Sequence, residues 1–163
     1  MLPLHPAIVH LPLGLAVAIP MVLVVLTVAL YRNRAPAGAF LGAGVLQAMV
    51  VAGGGLALFT GGQEEERMEG RIPEAVLEQH EHLATAFLLA ATVTLVLTVS
   101  VALVHKWASW WTRRLAIASA IGSLGVLVLG VLVGHAGGNL VYRDGAADLY
   151  RTPAATPESR HQL

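Results

Sequence analysis

A chain of 163 residues with 56% hydrophobic residues, 12% charged residues and a mean hydropathy of +0.69 departs from soluble domains and belongs in a bilayer, because about a quarter of the residues in a soluble domain are charged. Ten basic residues balance ten acidic ones, which gives no support to a nucleic-acid binder. The lack of cysteine excludes covalent c-type haem, iron–sulfur ligation and thiolate metal sites.

Four stretches free of Asp, Glu, Lys and Arg, at 1–31, 35–63, 82–105 and 115–142, each reach the ~20 residues that a helix needs to cross the hydrocarbon core. They predict membrane spans at about 8–31, 37–60, 82–105 and 114–135. The first has no basic leader and too long an apolar run for a signal peptide, so it reads as a retained helix. His5 and His10 open it. On a regular helix they stand about 140° apart in azimuth and about 7.5 Å apart in height, so they serve two sites, or one supports the other, unless the turn at Pro6 is distorted.

The second stretch carries Gly38 and Gly42 at four-residue spacing, and Gln47, the one strongly polar side chain inside the spans. It also carries the run Gly53, Gly54, Gly55. Each glycine costs a helix about 1 kcal/mol relative to alanine, so something large is expected to press on that backbone. The connection 61–81 holds Glu64, Glu65, Glu66, Glu69, Glu74, Glu78 and Glu81 against Arg67 and Arg71. Pro73, Glu74 and the apolar Ala75, Val76 and Leu77 predict a short interfacial helix running into the third span.

His80 and His82 open that third span, splayed by about 200°, so that one faces the bundle and the other the loop or solvent. Trp107, Trp110 and Trp111 mark the opposite boundary. The fourth span has Gly130, Gly134 and Gly138 at four-residue spacing and ends in GHAGGNLVY with His135. Ordinary helix contact is the first reading of these glycines, and a cofactor surface the second. Residues 143–163, with Pro153 and Pro157 among small and charged residues, read as a disordered tail.

Orientation follows from Arg32, Arg34, Lys106, Arg113 and Arg114, which occupy two connections without acidic residues and so face the cytoplasm. The expected fold is an all-α, four-transmembrane-helix bundle in a bacterial inner membrane. Both termini and the acidic connection lie on the periplasmic side.

Five of the seven histidines, His5, His10, His80, His82 and His135, then share one rim, whereas His105 and His161 stand apart from it. Imidazole is the commonest ligand for haem, zinc and copper. No Asp, Glu, Lys or Arg lies inside the spans, as a proton or ion pathway would need, so chemistry is expected at the rim. Haem b, one or two groups, is the leading cofactor reading. His10 and His135, nearest the membrane, are the first ligand candidates. His5 and His80 follow as a second pair or as supports, and then His82. Gly134, Gly137 and Gly138 are expected against the porphyrin, and Arg143 near its propionates.

Zinc held by three histidines with Glu81, or copper with Met68, is the alternative, although no HExxH motif occurs. A structural membrane protein without cofactor is the third. An electron-transfer protein or redox subunit is expected rather than a stand-alone enzyme. The expected partners are the lipid bilayer and a quinol or periplasmic electron carrier, with a homo-oligomer as an allowed assembly and no nucleic acid.

HPAIVHLPLG near the start and GHAGGNLVYRDG at 134–145 together resemble the opening and closing motifs of DUF2231, a family of small bacterial predicted membrane proteins catalogued as a domain of unknown function. The resemblance spans about 4–145. It aligns His5, His10, His80 or His82, and His135 with the family's histidines. It also implies a redox setting, because such domains can occur joined to cytochrome c-type segments.

Overall fold

The structure is a computed structural model that describes residues 5–68 and 70–150. Its helices are α1 His5–Ile8, α2 His10–Tyr31, α3 Ala39–Met68, α4 Glu74–Val104 and α5 Ser109–Tyr142, followed by a 3-10 turn at Ala146–Tyr150. No strand occurs among the described residues. Four helices are long and apolar enough to cross a membrane: His10–Tyr31, Ala39–Glu65 within α3, α4 and α5. The part of the expected tail at 151–163, with His161, lies outside the described residues.

α1 and α2 are nearly one helix. The bonds Val9 N–H to His5 O and Leu13 N–H to Val9 O carry the ladder across the junction. Pro12 has no N–H to give to the carbonyl four residues earlier, which loosens the turn there. α4 runs unbroken from Glu74 through the segment read as an outer connection, with Pro73 extended just ahead of it at φ −57° and ψ 128°.

The helices pack in antiparallel order. At one end of the bundle the start of α1 meets the end of α3, where the His5 ring bonds to the Ala57 carbonyl. The start of α4 meets the end of α5 there, with His80 against Gly137. At the other end the Thr27 hydroxyl donates to the Ala116 carbonyl at 3.2 Å, joining α2 to α5. We call these the histidine end and the tryptophan end.

The core is made of small and β-branched residues around a few large ones. Ala16, Ile19, Leu23, Phe40, Val50, Phe87, Ala91, Val101, Ala116 and Val126 form one cluster. Without a hydrophobic drive between helices in lipid, such contacts rest on close packing and interhelical hydrogen bonds. Gln47, fully buried, donates from Nε2 to the Ala91 carbonyl at 3.1 Å and joins α3 to α4 in mid-span. Thr94, Thr98, Ser119 and Ser123 satisfy their hydroxyls on their own helices.

The glycine run has its physical reason. A Cβ on Gly53 would stand 3.1 Å from Cδ of Pro12, and one on Gly54 would stand 3.4 Å from the Phe87 ring. Gly130 is similarly pressed by Phe87 and Leu13, whereas Gly38, Gly42 and Gly138 have nothing within 4 Å of that position.

Candidate cofactor site

The histidine end is built from the ends of four helices. His5 is half-buried on α1, and its Nδ1 lies 2.8 Å from the Ala57 carbonyl on α3. A carbonyl only accepts, so Nδ1 carries the proton and Nε2 is left with its lone pair. The Thr60 hydroxyl lies 3.4 Å from the same nitrogen and itself donates to the Leu56 and Ala57 carbonyls. The His5 backbone N–H reaches Glu64 Oε1 at 3.5 Å. Gly61 makes the fit, because a Cβ there would stand 3.2 Å from the ring's Cε1.

His80, on α4, presents its ring to His5 with centroids 6.4 Å apart and planes at 84°. Gly137 of α5 gives the ring room in the same way, with a Cβ position 3.2 Å from Cε1. The Nδ1 of His80 is buried and has no hydrogen-bond partner among the described residues. A buried polar atom left so costs about 1–3 kcal/mol.

The remaining rim histidines are placed differently. His82 is exposed, about 200° around α4 from the half-buried His80. His10 is exposed on α2 and makes a polar or ring contact of its own. His135 is exposed and lines a groove between α4 and α5 together with Gln79, Asn139 and Arg143. Gly134 has only Leu13 nearby, at 3.9 Å, and Gly138 faces open space. His105, at the tryptophan end, bonds back to the Ala102 carbonyl at 2.9 Å. The structure therefore brings two of the expected ligands into ring contact, His5 and His80.

Above the pair, Ile72, Leu77, Leu140 and Ala146 form a second apolar cluster with Met68 and Val76 packed on it. It joins the α3–α4 connection to the end of α5 at the same end of the bundle. Sequence reasoning missed this cluster, along with the Ala57 carbonyl, Thr60 and Gly61. Gly61 and Gly62, just before the acidic run, were the available sign of close contact there.

Two imidazoles that ligate one metal from opposite sides at about 2 Å each have ring centres roughly 6 Å apart, and His5 and His80 match that spacing at 6.4 Å. They come from different helices, one ring is oriented by a carbonyl, and the other holds a buried nitrogen without a partner. Haem ligation asks for imidazoles from different helices with an orienting partner, and His5 and His80 meet that part of it. Among the described residues no three or more His, Asp or Glu side chains gather as a metal-ion cluster, so a zinc or copper ion would draw its remaining donors from elsewhere.

The family model for a predicted membrane protein, DUF2231, matches residues 1–149, which takes in every described helix. The chain belongs to the DUF2231 family. It is a multi-pass membrane protein, and its apolar helix faces meet lipid. No curated protein and no solved structure matches this DUF2231 chain.

Proposed function

We propose that this DUF2231 protein is a haem b-binding membrane cytochrome in which His5 and His80 would hold the haem iron. The carrying observation is the His5–His80 pair, with one imidazole fixed by a backbone carbonyl and the other holding a buried, unbonded nitrogen. Bound there, haem supplies reversible one-electron chemistry. The chain's own part is to orient. The Ala57 carbonyl fixes the tautomer and angle of His5, and Gly61 and Gly137 let both rings close on their neighbours.

The same reading places the histidine end on the periplasmic face of a bacterial inner membrane. Arg32, Arg34 and Lys106 sit in the connections of the tryptophan end and Arg113 and Arg114 in the first turns of α5 there, and an excess of basic residues marks the cytoplasmic side. Electrons would pass along the outer surface, between a quinol and a periplasmic carrier.

The test is an absorption spectrum of the detergent-purified protein, first oxidised and then reduced with dithionite. A Soret band with sharp reduced α and β bands is expected, and a colourless protein from haem-replete cells overturns the reading. Periplasmic labelling of cysteines placed after Tyr142 checks the orientation.

A further inference from the structure

The α4–α5 seam carries a second feature that the histidine pair does not use. An open groove is lined by Gln79 and Leu83 on α4 and by Leu132, His135, Asn139, Arg143 and Asp144 at the end of α5. Its position relative to a bilayer can be fixed from the tryptophan end, where the ring of Trp110 stacks under the Arg114 guanidinium at 3.5 Å. A hydrocarbon core takes about 20 helical residues. Counted from Arg114 along α5, that length ends at Gly134, and counted back from Val104 along α4 it ends at Ala84. Both helices thus put the hydrocarbon edge at the floor of the groove.

Polarity along the groove follows that edge. Leu132 lies on the apolar side, Leu83 stands at the edge itself, one residue past Ala84, and Gln79, His135, Asn139, Arg143 and Asp144 lie beyond it, at the depth of the headgroups. Arg143 and Asp144 are neighbours of opposite charge, yet neither side chain is paired among the described residues. Gln79 and Asn139 likewise have uncommitted side-chain amides. The groove therefore offers a cation, an anion and neutral hydrogen-bonding groups above an apolar wall, with no net charge.

We propose that this groove binds a zwitterionic phospholipid whose head carries a primary ammonium. The phosphate lies on Arg143 with Asn139 beside it, the ammonium donates to Asp144, and an acyl chain runs down the wall formed by Leu83 and Leu132. A guanidinium suits phosphate geometry. A primary ammonium brings three N–H donors to a carboxylate, which a trimethylated head lacks. An anionic head would meet Arg143 but would set its charge against Asp144.

The experiment titrates dioctanoyl phosphatidylethanolamine, phosphatidylcholine and phosphatidylglycerol calorimetrically into the detergent-solubilised full chain. Phosphatidylethanolamine should bind about tenfold more tightly than either of the others. Glycerophosphoethanolamine, the same head without chains, should lose at least about tenfold, which separates a lipid from a free phosphate ester. Asp144→Asn should erase the preference over phosphatidylcholine, and Arg143→Gln should weaken all three lipids. Arg143 is exposed and Asp144 half-buried, and neither belongs to the core, so circular dichroism of the variants should match the parent. Equal affinities for the three lipids, an Asp144→Asn variant that keeps the preference, or displacement of bound phosphatidylethanolamine by stoichiometric decylubiquinone would each overturn the proposal. The titration gives the same answer on haem-free protein, so its failure and that of the cytochrome reading are separately visible.

Discussion

The two ends of the bundle contain the same kinds of residue and use them in opposite ways. At the tryptophan end, Trp107, Trp110 and Trp111 are exposed, the Arg113 guanidinium lies 5.2 Å over the Tyr31 ring, and His105 bonds to its own helix. Rings and cations there face outward, as suits the headgroup layer. At the histidine end two imidazoles turn inward, because Gly61 and Gly137 leave room for them. A histidine at a helix end thus becomes a candidate ligand when the facing helix offers a glycine seat and an acceptor for one ring nitrogen. The number of histidines on the rim matters less.

The sharpest way to break this comparison is to exchange the inward and outward histidines. His5→Ala or His80→Ala should abolish the low-spin haem spectrum, whereas the double variant His10→Ala/His135→Ala should keep it. The reverse pattern in reduced-minus-oxidised spectra would return the ligand role to the exposed residues. Next in size is the glycine seat. Gly137→Val drives a side chain into the His80 ring and should cost about 1–3 kcal/mol of thermal stability, as overpacked sites do. Gly138→Leu, beside it but facing open space, should leave the melting curve within error.

A smaller effect separates the ends from the middle. Gln47→Leu removes the bond to the Ala91 carbonyl, and interhelical hydrogen bonds in membranes average about 0.6 kcal/mol. Its melting temperature should fall slightly while the haem spectrum stays unchanged, and a lost spectrum would show that the site depends on mid-span packing. The smallest effect belongs to Thr60→Val. The Ala57 carbonyl still orients His5 there, so the variant should bind haem normally and change stability by less than about 0.5 kcal/mol.

Hydropathy made the four spans legible, and the run at Gly53 to Gly55 announced a close contact that proved to be Pro12 on one side and Phe87 on the other. The helix ends were less readable. α3 continues to Met68 and α4 begins at Glu74, because charged residues are good helix formers once the segment stands clear of the hydrocarbon. The gathering of histidines toward one end was legible, whereas which of them face one another was not. Position along the helix singled out His10 and His135, but inward facing depends on each helix's rotation, which long-range contacts set. His5 is turned by a carbonyl 52 residues away, a partner that no local pattern reveals.

The seat for His5 and His80 also sets an order of events during synthesis. His5 leaves the ribosome ahead of the first span, its partner Ala57 follows in α3, His80 opens α4, and Gly137 arrives close to the end of α5. The packing of α3 on α4 can bring the two rings together earlier, but the Gly137 seat for His80 is added only with the last helix. A chain cut short after α4 therefore carries both histidines without the wall that seats the second. On the proposed cytochrome reading, haem capture would report that translation and insertion have run to completion.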